Sequence, residues 1–135
     1  MDNYESPEEI KQKLPLESTL FIGFNPGFGC GYELLLKSWC KDLCMLFNLG
    51  YKVVFTVAND YSDLRGETLV FKKVFKDRVK YFQEPMANPF RAVTHYTAEG
   101  RKEGTWSCGQ THLYGLQGWK EDVTPLTWRE VKDYL

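Results

Sequence analysis

Apolar residues along this chain recur at two spacings. Thr19-Leu20-Phe21-Ile22-Gly23-Phe24 and Tyr51-Lys52-Val53-Val54-Phe55-Thr56-Val57-Ala58 are short apolar runs, the second rich in β-branched residues. Both predict strands, and the first lacks polar alternation, as expected of a strand covered on both faces. Between them Leu35, Leu36, Trp39, Cys40, Leu43, Leu46 and Phe47 fall on one side of a helical spiral. Lys37, Lys41, Asp42 and Asn48 take the other side. The spacing predicts a helix from about Tyr32 to Leu49, with Gly50 ending it. Strand, helix and strand joined by short turns predict a right-handed parallel crossover.

Val70, Phe71, Val74 and Phe75 give a second inward stripe, on a helix expected from about Glu67 to Lys76. Val79 to Gln83 reads as a third strand, closed by Glu84-Pro85. Val93 to Thr97 and Thr105 to Cys108 flank the polar turn 99–104 and predict a β-hairpin extending the sheet edge. The following stretch to Trp119, with Gly109, Gly115 and Gly118 among aromatics, reads as an ordered loop. Ser6-Pro7-Glu8-Glu9 and Thr127-Trp128-Arg129-Glu130 are capping boxes for short helices near each end.

These elements predict one domain: a lead-in over 1–18, a core over 19–119 and a tail with a short helix over 120–135. The fold class expected is α/β, a Rossmann-like three-layer fold with a mainly parallel sheet and a β-hairpin extension at the C-terminal side.

Composition narrows the function classes. The 135 residues are 43% hydrophobic and 16% aromatic, which favours a packed core over disorder. A net charge of −1 gives no broad field for nucleic acid or an anionic membrane surface. No apolar run approaches the length of a membrane span, and the acidic start, Met1 to Glu5, resembles neither a secretory signal nor an Arg-rich transit peptide. Cys30, Cys40, Cys44 and Cys108 are too few and too unevenly spaced for a disulfide framework, so reduced thiols and an intracellular, cytoplasmic setting are expected. Cys40, Cys44, Cys108 and His112 offer four soft ligands. Tight zinc knuckles use closer pairs, so packing is the preferred reading and no metal or cofactor is assigned.

The stretch Gly23-Phe24-Asn25-Pro26-Gly27-Phe28-Gly29-Cys30-Gly31 follows the first strand and precedes a helix, the physical setting of an anion site. Its details depart from the known phosphate loops. Gly31 is followed by Tyr32-Glu33 where a P-loop has Lys and Ser or Thr, and the spacing of Gly27, Gly29 and Gly31 misses the dinucleotide fingerprint. The competing reading is that these glycines allow a sharp turn and tight packing. Asn25, with Asn59 and Asp60 after the second strand, would share the rim where open α/β sheets hold ligands. Asn25, Gly27, Gly29, Asn59, Asp60 and Asp63 are therefore the ligand-binding candidates, suited to a sugar, nucleoside or peptide. For Asp60 and Asp63, as against a role as general bases, capping of the second helix is the preferred reading. Cys108 and His112 form a secondary pair, four residues apart.

Several motifs then coincide in order: Gly23 to Gly29, Ser38-Trp39, Val54-Phe55-Thr56, Asn59 to Asp63, Asn88-Pro89-Phe90-Arg91 and Trp106-Ser107-Cys108-Gly109. Over about residues 19–119 the chain resembles the C-terminal domain of the mitochondrial-splicing-suppressor family, which often follows a MYND zinc finger. The resemblance implies an α/β, Rossmann-like domain without an established reaction, with Asn25, Pro26, Gly27, Trp39, Asp63, Asn88, Pro89 and Phe90 in its motif-bearing surface or core. It also implies a mitochondrial role for some members. The paired cysteines of a MYND finger and the Cys-Pro dipeptide tied to haem sensing are absent from this sequence. The expected function is a non-catalytic binding domain for a protein. The alternative is a small enzyme or nucleotide-binding domain using residues 25–31 with Asp60 or Asp63.

Overall fold

The computed structural model describes residues 6–91, 95–96 and 107–135; for Tyr61, His95, Tyr96, Ser107 and Cys108 it describes the backbone alone. Helix α1 spans Pro7–Lys13 and is opened by the Ser6–Glu9 capping box. Strand β1, Leu20–Phe24, leads through the glycine-rich turn into α2, Glu33–Leu49, which ends on Gly50 at φ 83°. Strand β2, Lys52–Val57, follows. A wide helical turn over Asp60–Leu64 then runs into α3, Arg65–Lys73. Strand β3 is Val79–Ala87, and two short strands, β4 (His95–Tyr96) and β5 (Ser107–Cys108), precede β6, His112–Trp119. Helix α4, Trp128–Tyr134, carries the Thr127–Glu130 capping box.

The sheet has four strands in the order β1-β2-β6-β3. β1 and β2 are parallel neighbours in unbroken register, from Leu20 opposite Lys52 to Phe24 opposite Thr56, as their connection through α2 requires. The fold class expected from the sequence is otherwise corrected. β6 lies between β2 and β3 and runs antiparallel to both, so one pair of the sheet is parallel and the other two are antiparallel. The sheet is mixed, not mainly parallel, and the arrangement is not a Rossmann-like three-layer sandwich.

Three local expectations change with it. The stretch read as an ordered loop is the central strand β6, whose Tyr114 and Leu116 are fully buried. Gly115 belongs in that strand because the Phe82 ring of β3 crosses it: a β-carbon at Gly115 would lie 2.5 Å from Phe82 Cζ. β3 continues through Glu84-Pro85 to Ala87, with register shifts that accommodate the proline at a sheet edge. The hairpin strands β4 and β5 pair with each other, His95 opposite Cys108, as a separate two-stranded sheet. The turn 99–104 and the outer ends of that hairpin fall outside the described residues.

The core lies on one face of the sheet, under α2 and α3. Phe71 of α3 contacts the rings of Phe28, Phe47, Phe75, Tyr81 and Tyr114, while Trp39 of α2 and Phe28 meet Phe55 of β2. Such edge-on and tilted ring contacts add stabilisation beyond the area they bury. α4 closes the far side of α2, with Leu126 and Val131 buried. The opposite face of the sheet is uncovered by the described residues. Leu20, Ile22 and Phe24 of β1 are 50%, 52% and 64% exposed, which corrects the expectation that both faces of this strand are covered.

The glycine turn packs backbone to backbone against the start of α3. A β-carbon at Gly29 would lie 2.3 Å from Glu67 N, and one at Gly66 would lie 2.0 Å from Gly29 O. No side chain fits between. Gly29→Ala is expected to cost about 3 kcal/mol or more, lowering Tm by about 10 °C or more. Gly31→Ala faces open space at φ 93° and is expected to cost only about 1 kcal/mol. Thermal melts of the two variants check this contrast.

Candidate functional site

The rim at the end of β1 and β2 is assembled from three segments. Asn25 takes a left-handed conformation, φ 47°, and its N–H donates to the Thr56 carbonyl at 2.9 Å and to Thr56 Oγ1 at 3.2 Å. Its backbone thus ties β1 to β2, while its side chain stays exposed. The second segment is Asn59 to Asp63. Asn59 Oδ1 accepts from the Ser62 and Asp63 amides and from Ser62 Oγ, and Asn59 Nδ2 donates to Asp63 Oδ2 at 3.1 Å. The cap of this turn is therefore Asn59, with Asp63 its partner and Asp60 exposed beside it.

The third segment is the turn 27–29 on the start of α3. Phe28 is buried among the core rings, and Gly27 and Gly29 bring the backbone down onto Glu67. Of the six ligand-binding candidates, the structure bonds Asn59 to Asp63 and seats Gly27 and Gly29 against α3. Asn25 and Asp60 keep their side chains at the exposed rim. Among the described residues, cavities along α1–α2–α4, on the open sheet face and at the Lys80–Asp122 surface include none of the six.

The residue that sequence reading overlooked is Glu67. It is fully buried, and Tyr114 Oη donates to its Oε1 at 2.5 Å. Oε2 has no hydrogen-bond partner among the described residues. The Gly27 amide lies near enough to favour the carboxylate without meeting hydrogen-bond geometry. Burial pushes the Glu67 carboxyl up to about 7; the Tyr114 bond opposes this, the Asp63 charge adds to it and the Gly27 backbone opposes it weakly. Tyr114 is raised well above the ordinary phenol value by burial first and by Glu67 second. Burial and the charges of Glu84, Asp77 and Glu67 likewise push Tyr81 to about 12. A signal for Glu67 exists in the sequence, since positions 67, 70, 71 and 74 share one helix face and three of them are apolar.

His112 begins β6 on the same rim. Thr111 Oγ1 donates to the Ala58 carbonyl at 3.0 Å and lies 2.9 Å from His112 Nδ1. The side chain of Cys108 is outside the described residues, and with it any Cys108–His112 pair. Asn88 is a buried tie: its Nδ2 donates to the Gln110 carbonyl and its Oδ1 accepts from the Phe90 amide.

Cys40 and Cys44 belong to the core. Burial raises both thiols, Cys40 to about 12, and the Cys44 thiol points to the Leu126 carbonyl at 3.8 Å. A thiol so disfavoured as thiolate is a poor zinc ligand and a poor nucleophile. Among the described residues no three His, Cys, Asp or Glu side chains come together as a metal cluster.

Comparison of the chain with protein-family models, with curated proteins and with solved structures finds no match. Function is therefore read from geometry. Among the described residues the rim consists of capped turns, backbone ties and one enclosed carboxyl, with no nucleophile held by a base.

The enclosed carboxyl makes stability depend on pH. Glu67 binds its proton more tightly folded than unfolded, so its contribution is complete below about pH 4.5 and is lost as pH rises through about 7. Relative to Glu67→Gln, the wild type is expected to lose about 2–3 kcal/mol between pH 4.5 and 8. Denaturant melts across this range measure it, and parallel profiles for the two proteins would refute it.

Proposed function

We propose that this chain is a non-catalytic binding domain that engages a protein through the uncovered face of its sheet. One observation carries the reading: Leu20, Ile22 and Phe24 of β1, with Phe82 and Met86 of β3, are 40–64% exposed on that face. Half-buried Val54 and Leu113 lie between them on β2 and β6. Isolated apolar residues are ordinary on a protein surface, whereas a contiguous set across four strands marks an interaction site. Lys52 Nζ sits 5.6 Å above the Phe82 ring, giving the face a polar margin, and a groove of about 790 Å³ runs past it toward Leu16 and Leu20.

The arrangement of the rim supports the non-catalytic side of the proposal. Glu67 is enclosed, Asn59 and Asp63 cap each other, and Gly29 is filled by α3. Kinship with the splicing-suppressor C-terminal domain belongs to the same proposal. Trp39, Gly29 and Asn88, which carry that likeness, act as packing and tie residues. An intracellular setting fits Cys30, Cys40 and Cys44 as free thiols. Among the described residues no helix is long and apolar enough to cross a membrane.

Two measurements test the reading. Nucleotides and S-adenosylmethionine are expected to leave Tm unchanged, and stabilisation by a nucleotide would overturn it, because any ligand of the folded state raises Tm by mass action. Ile22→Glu with Phe24→Glu is expected to keep Tm within about 3 °C, since both positions are exposed. The same change should strip most of the fluorescence of anilinonaphthalene sulfonate bound to the folded protein; an undiminished signal argues against this face.

A further inference from the structure

The two edges of the four-stranded sheet are built differently. β3 carries Lys80, Glu84 and Pro85 and shifts register three times against β6. Charges, proline and bulges are the devices by which edges resist further pairing. β1 has none of them. Leu20-Phe21-Ile22-Gly23-Phe24 holds no charge and no proline, and it runs in unbroken register beside β2.

Among the described residues β1 has β2 as its neighbour on one side and no strand on the other, and the direction of its outer backbone groups follows from one bond. The Asn25 N–H points to the Thr56 carbonyl of β2. By strand alternation Gly23 and Phe21 also turn their N–H and C=O toward β2, whereas Leu20, Ile22 and Phe24 turn theirs outward. Three outward pairs, two residues apart, are centred on Ile22.

We propose that β1 pairs antiparallel with β1 of a second copy of this chain, about a two-fold axis through Ile22, joining two four-stranded sheets into one of eight. The register is self-complementary. Ile22 meets Ile22 and exchanges both backbone hydrogen bonds with it. Leu20 meets Phe24 on the open face, so two apolar surfaces become one. On the helix face Phe21 meets Gly23, whose position is crossed by the Phe55 ring of its own chain, so Phe21 lies beside that ring. A two-fold axis sets each charge against its own copy, and this strand brings none. The inference rests on reading the sheet as an interaction surface: the second copy joins at the strand edge and enlarges the open face that the protein partner engages.

Sedimentation or light scattering at micromolar concentration is expected to give twice the 15.8 kDa chain mass. Ile22→Lys places two like charges on the axis and is expected to return the single-chain mass with its circular dichroism unchanged, its Tm falling only by the concentration-dependent part that pairing supplies. Disulfide trapping reads the register. With Cys30→Ser and Cys108→Ser as background, Ile22→Cys should cross-link to itself, because opposed residues in a hydrogen-bonded antiparallel pair lie about 5.5 Å apart at Cα. Leu20→Cys should not self-link but should link when mixed with Phe24→Cys. A single-chain mass for the wild type, or self-linking of Leu20→Cys, overturns the pairing. A monomer that still binds the dye through Phe24, or takes an extended peptide along β1, overturns the pairing alone; nucleotide stabilisation overturns the reading beneath it.

Discussion

The seating of Gly29 on Gly66 is the contact on which the rest of the molecule turns. Two chain segments thirty-seven positions apart meet without a side chain between them. Because the turn comes so close, Phe28 reaches the space between Trp39, Phe55 and Phe71. That ring joins the helix after β1 to the helix after β2 and to the sheet beneath. The same closeness shuts Glu67 away from water. A phosphate-cradling loop requires its amides to face a ligand; here the corresponding space belongs to α3.

Enclosing Glu67 has an electrostatic cost that the fold offsets only in part. The Tyr114 hydroxyl satisfies one oxygen, and the other has no partner. A fully ionised carboxylate in that position would be strongly disfavoured, which is why its proton is held to about neutral pH. The aromatic cluster around Phe71 carries the compensating stabilisation, since burial of each such ring contributes about 1.5–3 kcal/mol. A polar group is thus retained in the densest part of the core, joining β6 to α3 by a directional bond.

Much of this was legible in the residues. The stripe from Leu35 to Phe47, the β-branched run of β2 and the two capping boxes each carry a local signal strong enough to survive tertiary context. The place of β6 was not legible. Its Gly115 and Gly118 look like loop residues until Phe82 is known to cross the first of them. Strand order is set by which apolar faces meet, and single-sequence periodicity does not report it. Of the rim residues marked in the sequence, Asn59 and Asp63 meet each other, Asn59 as the cap of a turn and Asp63 as its hydrogen-bond partner. Glu67 escaped because a charged residue on an apolar stripe is easily taken for its solvent-facing neighbour.

The central position of β6 also bears on how the chain folds during synthesis. β2 and β3 each need β6 as a hydrogen-bonding neighbour, yet they are made tens of residues before it. Until that strand emerges, the nascent chain holds β1, α2 and β2 with an unpaired flank and a half-built core. Closure of the sheet is then a late, long-range event of high contact order, and the growing polypeptide is a natural client for chaperones in the interval.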